Sequence, residues 1–577
     1  MVSAVTLFFY IARLTSKTRR GVYMKKIRSS KLIDIFVASV LSALVVIFIL
    51  MPFLTVFKES FFVDGSFSLE HYTKILSNKK LITNTFKMGA LTTIVATLSS
   101  SFVAIFYYLS RKRVKALIIL ILSITLISPP FVSSLSYITL FGRRGIITYK
   151  LLGLNMNPYG MWGIVFMQAL SDLSLNSLLL IGFLQGLDKS IINSARSLGA
   201  TTNDIIMDII VPAMNNGIKA VMMLSFFRSV ADFGTPAIIG GNYEVLALES
   251  YFEVIANGNL ASAAAMNVFI LVPTLIIFLF SSKAVRSGTL ASGVSSKQEF
   301  PLKRSGALYY LISAFAIFFI FWIVSLYASI ILNAFTKMRV GRLVFTLDNF
   351  KETKVFIGGV ALRSIAYSII SAIGGTFIGL LIGYYLIIKK YKYMKIIDTI
   401  ANLPYIIPGT FFGLGYLLFF RSPPIAITGT AAIVVLNVLF KQLPFSTRAS
   451  SAAMMDIDTN TLNSIRDLGG SSINEITDGV LPLSKNSIMI SMINAFTTTM
   501  TTVGTIIFLV YPGKKLMTLV MFDVIQSAKY GVGSVIAFYI ILICLAFNIA
   551  LRIVMSRDFR EKIKDKFTHI FARKDVK

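Results

Sequence analysis

The chain has 577 residues, 55% hydrophobic and 14% charged, with a mean hydropathy of +0.77. Soluble domains carry about 25% charged residues, so there is too little polar surface to cover a water-facing exterior. The net charge of +30 would suit a nucleic-acid binder, but many of the cations lie in short segments between apolar stretches, where membrane topology places them, and no nucleic-acid partner is expected. Cys544 is the single cysteine, and His71 and His569 are the two histidines, far apart in the chain. An internal disulfide framework is excluded, and no metal site is assigned.

In chain order, residues 1–10 are apolar but precede a basic stretch, the reverse of a signal peptide. Met24-Lys25-Lys26 reads as a more natural beginning, so residues 1–23 are taken as an upstream extension or a mis-assigned start. Residues 1–32 form an N-terminal segment. Apolar stretches then predict helical spans at 33–57, 84–109, 116–140, 161–183, 217–238 and 263–282. A polar linker follows at 283–305. Six more spans are predicted at 307–334, 361–388, 394–420, 425–445, 488–511 and 532–554, before a basic tail at 555–577. The expected fold is all-α and polytopic, with about twelve transmembrane helices in two homologous six-helix halves, 33–282 and 306–554.

The basic clusters set the orientation. Lys25, Lys26, Arg28 and Lys31 precede the first span; Arg111, Lys112, Arg113 and Lys115 follow the second. Lys389, Lys390, Lys392 and Lys395 follow the eighth, and Arg557, Arg560, Lys562, Lys564 and Lys566 lie in the tail. All fall on one side of a twelve-span chain, which is therefore read as cytoplasmic, with both termini there. Glu244, Glu249 and Glu253 fit the opposite side, whereas Arg143, Arg144, Arg339 and Arg342 run against the pattern.

An internal repeat organises the chain. Residues 193–212 read NSARSLGATTNDIIMDIIVP and residues 463–482 read NSIRDLGGSSINEITDGVLP, at a gapless offset of 270. Asn193, Ser194, Arg196, Gly199 and Pro212 pair with Asn463, Ser464, Arg466, Gly469 and Pro482. Upstream, Asp188 pairs with Asp458, each placed like a helix N-cap. Downstream, Gly234-Thr235 pairs with Gly504-Thr505. Each copy reads as helix, glycine turn, helix, in a loop between spans. Same-orientation repeats suggest two halves around an axis along the membrane normal.

These loops resemble the coupling motif of ABC importer permeases of the type I, binding-protein-dependent class: Glu-Ala-Ala, three residues, Gly, nine residues, then Ile-x-Leu-Pro. Here the positions are Asn193-Ser194-Ala195, Gly199, Ile209, Val211 and Pro212, then Asn463-Ser464-Ile465, Gly469, Gly479, Leu481 and Pro482. Asparagine replaces both glutamates, and Gly479 replaces an isoleucine. The resemblance implies the type I ABC importer transmembrane fold, with permease cores at about 84–282 and 361–552. It also implies that each loop docks on a separate ATP-hydrolysing subunit, two copies in all, and that an extracytoplasmic binding protein delivers the solute. The chain has no GxxxxGK[ST] phosphate loop, so ATP is expected to be used by the partner, with no cofactor and no catalysis on this chain. Arg196 and Arg466 read as interface residues or as solvated charges.

Residues 128–132 (SPPFV), 140–145 (LFGRRG), 231–237 (ADFGTPA) and 404–410 (PYIIPGT) resemble the fused double-permease ferric iron subfamily. Related permeases handle thiamine, aminoethylphosphonate or polyamines, and these stay open as substrates. The resemblance implies a bacterial plasma (inner) membrane location. Asp232, Gly234, Thr235, Gly504 and Thr505 are the candidates for a translocation pathway between the halves, and for the two Gly-Thr pairs close helix packing is the favoured alternative. Asp232 and Asp172 are ionisable groups inside the membrane, which usually face a cavity or a partner; a loop-capping role for Asp232 stays open beside a cation-attracting one. A secondary transporter and a membrane enzyme are the competing classes. The paired loops argue against the first, and the lack of a catalytic constellation argues against the second.

Overall fold

The computed structural model describes residues 23–63, 65–155, 157–288, 305–339, 342–511 and 513–555. Most of the expected upstream extension, of the 283–305 linker and of the basic tail lies outside them.

The fold is a helical membrane bundle written twice. The first half opens with α1 (Tyr23–Val45) and α2 (Met51–Phe61), joined by a π-helical turn over Val46–Leu50. A two-stranded hairpin follows, β1 (Phe62–Val63) with β2 (Ser66–Phe67), then α3 (Glu70–Ser77) and the long α4 (Lys79–Leu109). Asn78 starts α4 by accepting the Leu81 amide at 3.1 Å, a side-chain cap for a donor with no helical partner. Next come α5 (Lys112–Ile127), α6 (Phe131–Phe141), α7 (Met161–Gln185), α8 (Lys189–Ser197) and the short α9 (Thr202–Asp204). The half ends with α10 (Val211–Ala231), α11 (Gly234–Ile239), α12 (Leu246–Ile255) and α13 (Leu260–Gly288).

The second half repeats this order. It comprises α14 (Ala307–Phe335), the hairpin β3 (Thr336–Arg339) with β4 (Arg342–Phe345), α15 (Asp348–Ile357), α16 (Val360–Gly383), α17 (Met394–Ala401) and α18 (Gly409–Phe419). It continues with α19 (Ala431–Met455), α20 (Thr459–Asp467), α21 (Ser472–Asn474), α22 (Leu481–Leu483), α23 (Lys485–Thr501), α24 (Met517–Gln526) and α25 (Tyr530–Met555). Helices α7, α8 and α9 reappear as α19, α20 and α21 at the same 270-residue offset and with the same lengths.

Seven described helices are long and apolar enough to cross a membrane, or eight if α5 and the stretch from α6 to Leu151 form one span bent by 106°. Helix occupies the twelve expected positions, but several differ from uniform spans. The expected 116–140 span breaks at Pro129-Pro130, and the expected 394–420 span breaks around Pro404 and Pro408, because proline removes a helical donor. The expected 425–445 span is α19, whose Lys441, Gln442 and Arg448 lower its apolarity. The expected 488–511 span ends as helix at Thr501, and the described apolar part of α13 runs over Leu260–Ile276.

Within each half the long helices pair in the same way: α4 lies along α7, and α16 lies along α19. On α16 small residues permit the approach. A Cβ on Gly379 would come within 2.6 Å of Ser446 Cβ, and one on Gly374 within 2.7 Å of Leu439 Cδ1. Close backbone contact of this kind drives helix association in lipid.

The first helices are exchanged between the halves. Helix α14 packs on α4 and α6 of the first half as well as on its own α25. Its Leu326 carbonyl accepts from Ser136 Oγ at 2.9 Å, and its Tyr327 hydroxyl meets Ser128 Oγ at 2.6 Å. In the other direction α2 packs on α18, and Tyr416 of α18 donates to the Phe48 carbonyl at 2.8 Å. Phe48 also stacks on Phe440 with ring centroids 4.9 Å apart.

Candidate functional site

The two repeated loops fold alike. Asp188 Oδ1 accepts the Ser190 amide at 2.9 Å and starts α8; Asp458 Oδ1 accepts the Asn460 amide at 2.9 Å and starts α20. Asn193, Ser194, Ala195 and Arg196 lie on α8, and Asn463, Ser464 and Arg466 lie on α20. Gly199 and Gly469 end these helices with φ of +90° and +77°, a left-handed conformation that side chains disfavour. A reciprocal cap opens the next turn in each loop. Thr201 and Asp204 exchange backbone and side-chain hydrogen bonds, as do Ser471 and Asn474. A π-helical turn then leads to Pro212 in the first turn of α10 and to Pro482 in α22. The helix runs on through each proline, and the π-helical turn just before it is where the hydrogen-bond ladder changes register around the missing amide donor. Leu198 and Leu468, at the outer tips, are 88% and 83% exposed.

Their undersides differ. In the second loop Arg466 Nε and Nη2 donate to the two oxygens of Glu475 at 2.8 and 2.9 Å. Tyr384 donates to Glu475 Oε2 at 2.9 Å, and Lys389 Nζ lies 3.3 Å from Oε1. Lys389 also reaches Asp34 Oδ2 at 3.4 Å and Ser472 Oγ at 2.8 Å, while Ser472 donates to Asp34 at 2.7 Å. Glu475 and Asp34 are 2% and 3% exposed. Burial raises the Glu475 carboxyl, but hydrogen bonds from Arg466 and Tyr384 and the charges of Lys389 and Arg466 outweigh it, leaving the group below its ordinary range. The network ties α20 and the turn after α21 to the π-helical turn that follows α16 (Tyr384–Ile388, capped by Lys389) and to α1 of the other half. In the first loop the position of Glu475 is held by Ile205, which is 2% exposed among apolar neighbours. The Arg466 guanidinium is therefore engaged underneath its own loop.

Gly479, where the coupling motif has isoleucine, lies directly beneath α20. A Cβ there would be 2.8 Å from Leu462 Cδ2 and 3.1 Å from Ile465 Cδ1. The departure from the motif thus has a packing cause.

Glu475, Asp34 and Lys389 were not singled out as site residues by sequence reasoning. Glu475 pairs with Ile205 in the repeat, so a search for matching positions passes over it. The available signal was Asp34, an acid near the start of an apolar span, because such groups are expensive without partners.

The expected pathway residues lie near one another. Asp232 Oδ1 accepts the amides of Gly234 and Thr235 at 2.9 and 3.2 Å, and its Oδ2 accepts from Gln168 at 3.0 Å. The carboxylate thus caps the start of α11. A Cβ on Gly234 would meet Phe131 Cε1 at 2.4 Å, and one on Gly504 would lie 3.5 Å from Phe233. Thr235 and Thr505 are buried, and the Thr505 hydroxyl meets Thr502 at 3.1 Å. Gly504 and Thr505 pack tightly on α18, where a Cβ on Gly413 would approach the Thr505 carbonyl to 2.5 Å. Asp172 is buried and pairs with Arg228 at 3.0 Å. In the second half Lys441 donates to the carbonyls of Pro404 and Ile407 at 2.6 and 2.7 Å. It thereby satisfies acceptors freed where the third span breaks.

An exchanged two-half bundle with a paired helix-turn-helix loop in each half defines a polytopic membrane transport subunit. The chain is an ABC importer permease with two halves fused. No family model matches it. It is 27% identical over 530 residues to the ferric transport system permease protein FbpB of Actinobacillus pleuropneumoniae, covering 88% of this chain and 76% of that one. It is 28% identical over 498 residues to the putative ferric transport system permease protein FbpB 1 of Haemophilus influenzae, covering 82% and 78%. It is 23% identical over 543 residues to the probable ABC transporter permease protein y4fN of Sinorhizobium fredii, covering 89% and 94%.

Proposed function

We propose that this permease conducts ferric ion through a bacterial plasma (inner) membrane, with both termini on the cytoplasmic side. The observation that carries the substrate is the similarity to two ferric transport system permeases over 88% and 82% of the chain. An extracytoplasmic binding protein delivers the ion. Two copies of a separate ATPase dock on α8 and α20, where Leu198 and Leu468 stand exposed, and ATP is bound and hydrolysed there while this chain holds no cofactor. The pathway runs between the halves, bordered by Asp232, Gly234, Thr235, Gly504 and Thr505.

The test is uptake of radioactive iron by cells that express the chain with its ATPase and binding protein and lack other ferric importers. ATP-dependent uptake that excess spermidine and thiamine leave unchanged is the expected result. Uptake of either organic cation with no uptake of iron would defeat the ferric assignment.

A further inference from the structure

Where the halves meet, aromatic rings from both sides interlock. Phe131 of α6 stacks on Phe522 of α24 with centroids 4.8 Å apart. Phe233, in the turn between α10 and α11, stacks on Tyr251 of α12 at 5.3 Å and meets Phe522 edge-on at 6.3 Å. Tyr251 completes the set, with Phe522 at 6.4 Å and 83° and Phe508 at 6.2 Å and 27°. Phe131, Phe233, Phe508 and Phe522 are all at most 8% exposed. Nearby, Thr410 donates to Asn267 at 3.0 Å, again across the halves.

The repeat explains the meeting of Tyr251 and Phe522. Helices α12 and α24 are counterparts of ten residues each, and both residues occupy the sixth position. A residue near the axis relating two halves meets its own counterpart. The expected pathway glycines border the seam, since Gly234 lies under Phe131 and Gly504 faces Phe233.

We propose that this seam is a closed gate across the translocation pathway, with Tyr251 and Phe522 as the pair that must part for solute to pass. The assignment rests on the reading above that the pathway runs between the halves. A hydrated cation cannot shed its water among packed rings, which offer no set of oxygen ligands in exchange. Each ring contact is individually weak, so a rigid rotation of one half against the other separates them together. Substituting small residues for the two glycines' neighbours would loosen the barrier, whereas tying the pair together would hold it shut.

The test uses the full chain carrying Cys544→Ala, Tyr251→Cys and Phe522→Cys, expressed with its ATPase and binding protein and treated with a short, cleavable bifunctional thiol reagent. The linked peptides form at rest, and their yield falls about tenfold when ATP and vanadate trap the complex in its other state, as a population shift requires. The linked chain loses iron uptake and regains it on cleavage of the reagent. Absence of the link at rest, an equal yield in both states, or transport through the linked chain overturns the gate. The trapped-state yield involves no iron, so failure of iron uptake in the cysteine-free chain defeats the ferric reading and leaves the gate to the trapping result. Independently, Phe522→Ala in the full chain in liposomes opens a cavity in the seam and speeds quenching of entrapped calcein by external cobalt ion. Quenching at the wild-type rate by folded Phe522→Ala protein overturns the gate.

Discussion

Arg466 and Glu475 join the two helical segments of the second loop through paired hydrogen bonds of 2.8 and 2.9 Å, while the matching first-loop position is Ile205. The two loops share a backbone plan and differ in what holds them to the membrane helices. Removing Glu475 leaves Arg466, Lys389 and Tyr384 without their shared acceptor. Breaking a buried pair costs about 3–5 kcal/mol, and the 41% exposure of the Arg466 side chain lowers the expectation to roughly 2–3 kcal/mol after solvent screening. Glu475→Ala should therefore lower the thermal midpoint of the detergent-purified chain below that of wild type by an amount matching roughly 2–3 kcal/mol. A midpoint equal to that of wild type would mean that the network carries no net stability.

The same carboxylate predicts a pH dependence. Its folded-state pKa lies below the ordinary value, so its contribution is present above the ordinary carboxylate range and is lost as pH falls through the folded value. Wild type should lose stability on acidification, and Glu475→Gln should lose less. Thermal unfolding of both across a descending pH series provides the comparison. Parallel curves would rule Glu475 out as a contributor. Asp188, lowered by its hydrogen bonds with Ser190, contributes with the same sign in both proteins and cancels.

Gly199→Val and Gly469→Val each place a β-branched side chain at positive φ, at about 1–3 kcal/mol of strain. Both variants should insert in the membrane at normal levels and lose most ATP-dependent uptake. Asparagine at either position tolerates that conformation better and should keep more activity than valine. Normal uptake by a well-expressed Gly199→Val/Gly469→Val chain would refute a coupling role for the loops.

Gly479→Ile would restore the residue of the coupling motif, yet it should destabilise this protein. The side chain would push against Leu462 and Ile465, and overpacking of this kind costs typically 1–3 kcal/mol. A companion Leu462→Ala substitution should recover part of the loss. Thermal unfolding of the single and double variants measures the coupling, and additive effects would contradict direct contact.

Lys441→Met keeps the stem of the side chain but removes the donor to the Pro404 and Ile407 carbonyls. A buried acceptor left unsatisfied costs about 1–3 kcal/mol. The variant should show a lower thermal midpoint and faster proteolysis in the 402–409 stretch. Unchanged cleavage there would show that the lysine does not hold the break.

Much of the architecture was legible because the chain repeats itself. The offset of 270 located both loops, and the aspartate caps and glycine turns followed from residue type. The broken third spans were less legible, although Pro129-Pro130, Pro404 and Pro408 were in view, because hydropathy averages over a kink. The Asp34–Ser472 hydrogen bond joins residues 438 positions apart, and no local pattern encodes it. The pairing of Tyr251 with Phe522 was hidden by one extra residue in the second half after Gly504-Thr505. A gapless comparison sets Tyr251 against Met521 instead. Exchange of the first helices also leaves no periodic trace, since α2 and α14 are apolar whichever half they cover.

That exchange bears on how the protein is made. A ribosome delivers α1 and α2 early, but α18, which packs on α2 from the other half, emerges some hundreds of residues later. Until α14 arrives, α4 and α6 of the first half lack a neighbour that the finished molecule supplies. Neither half can therefore complete its lipid-facing wall during its own synthesis. Insertion must hold an incomplete six-helix unit in the bilayer until the next one begins. Fusing the two units in one polypeptide keeps the missing helix on the same nascent chain, so closure does not depend on two separate products finding each other.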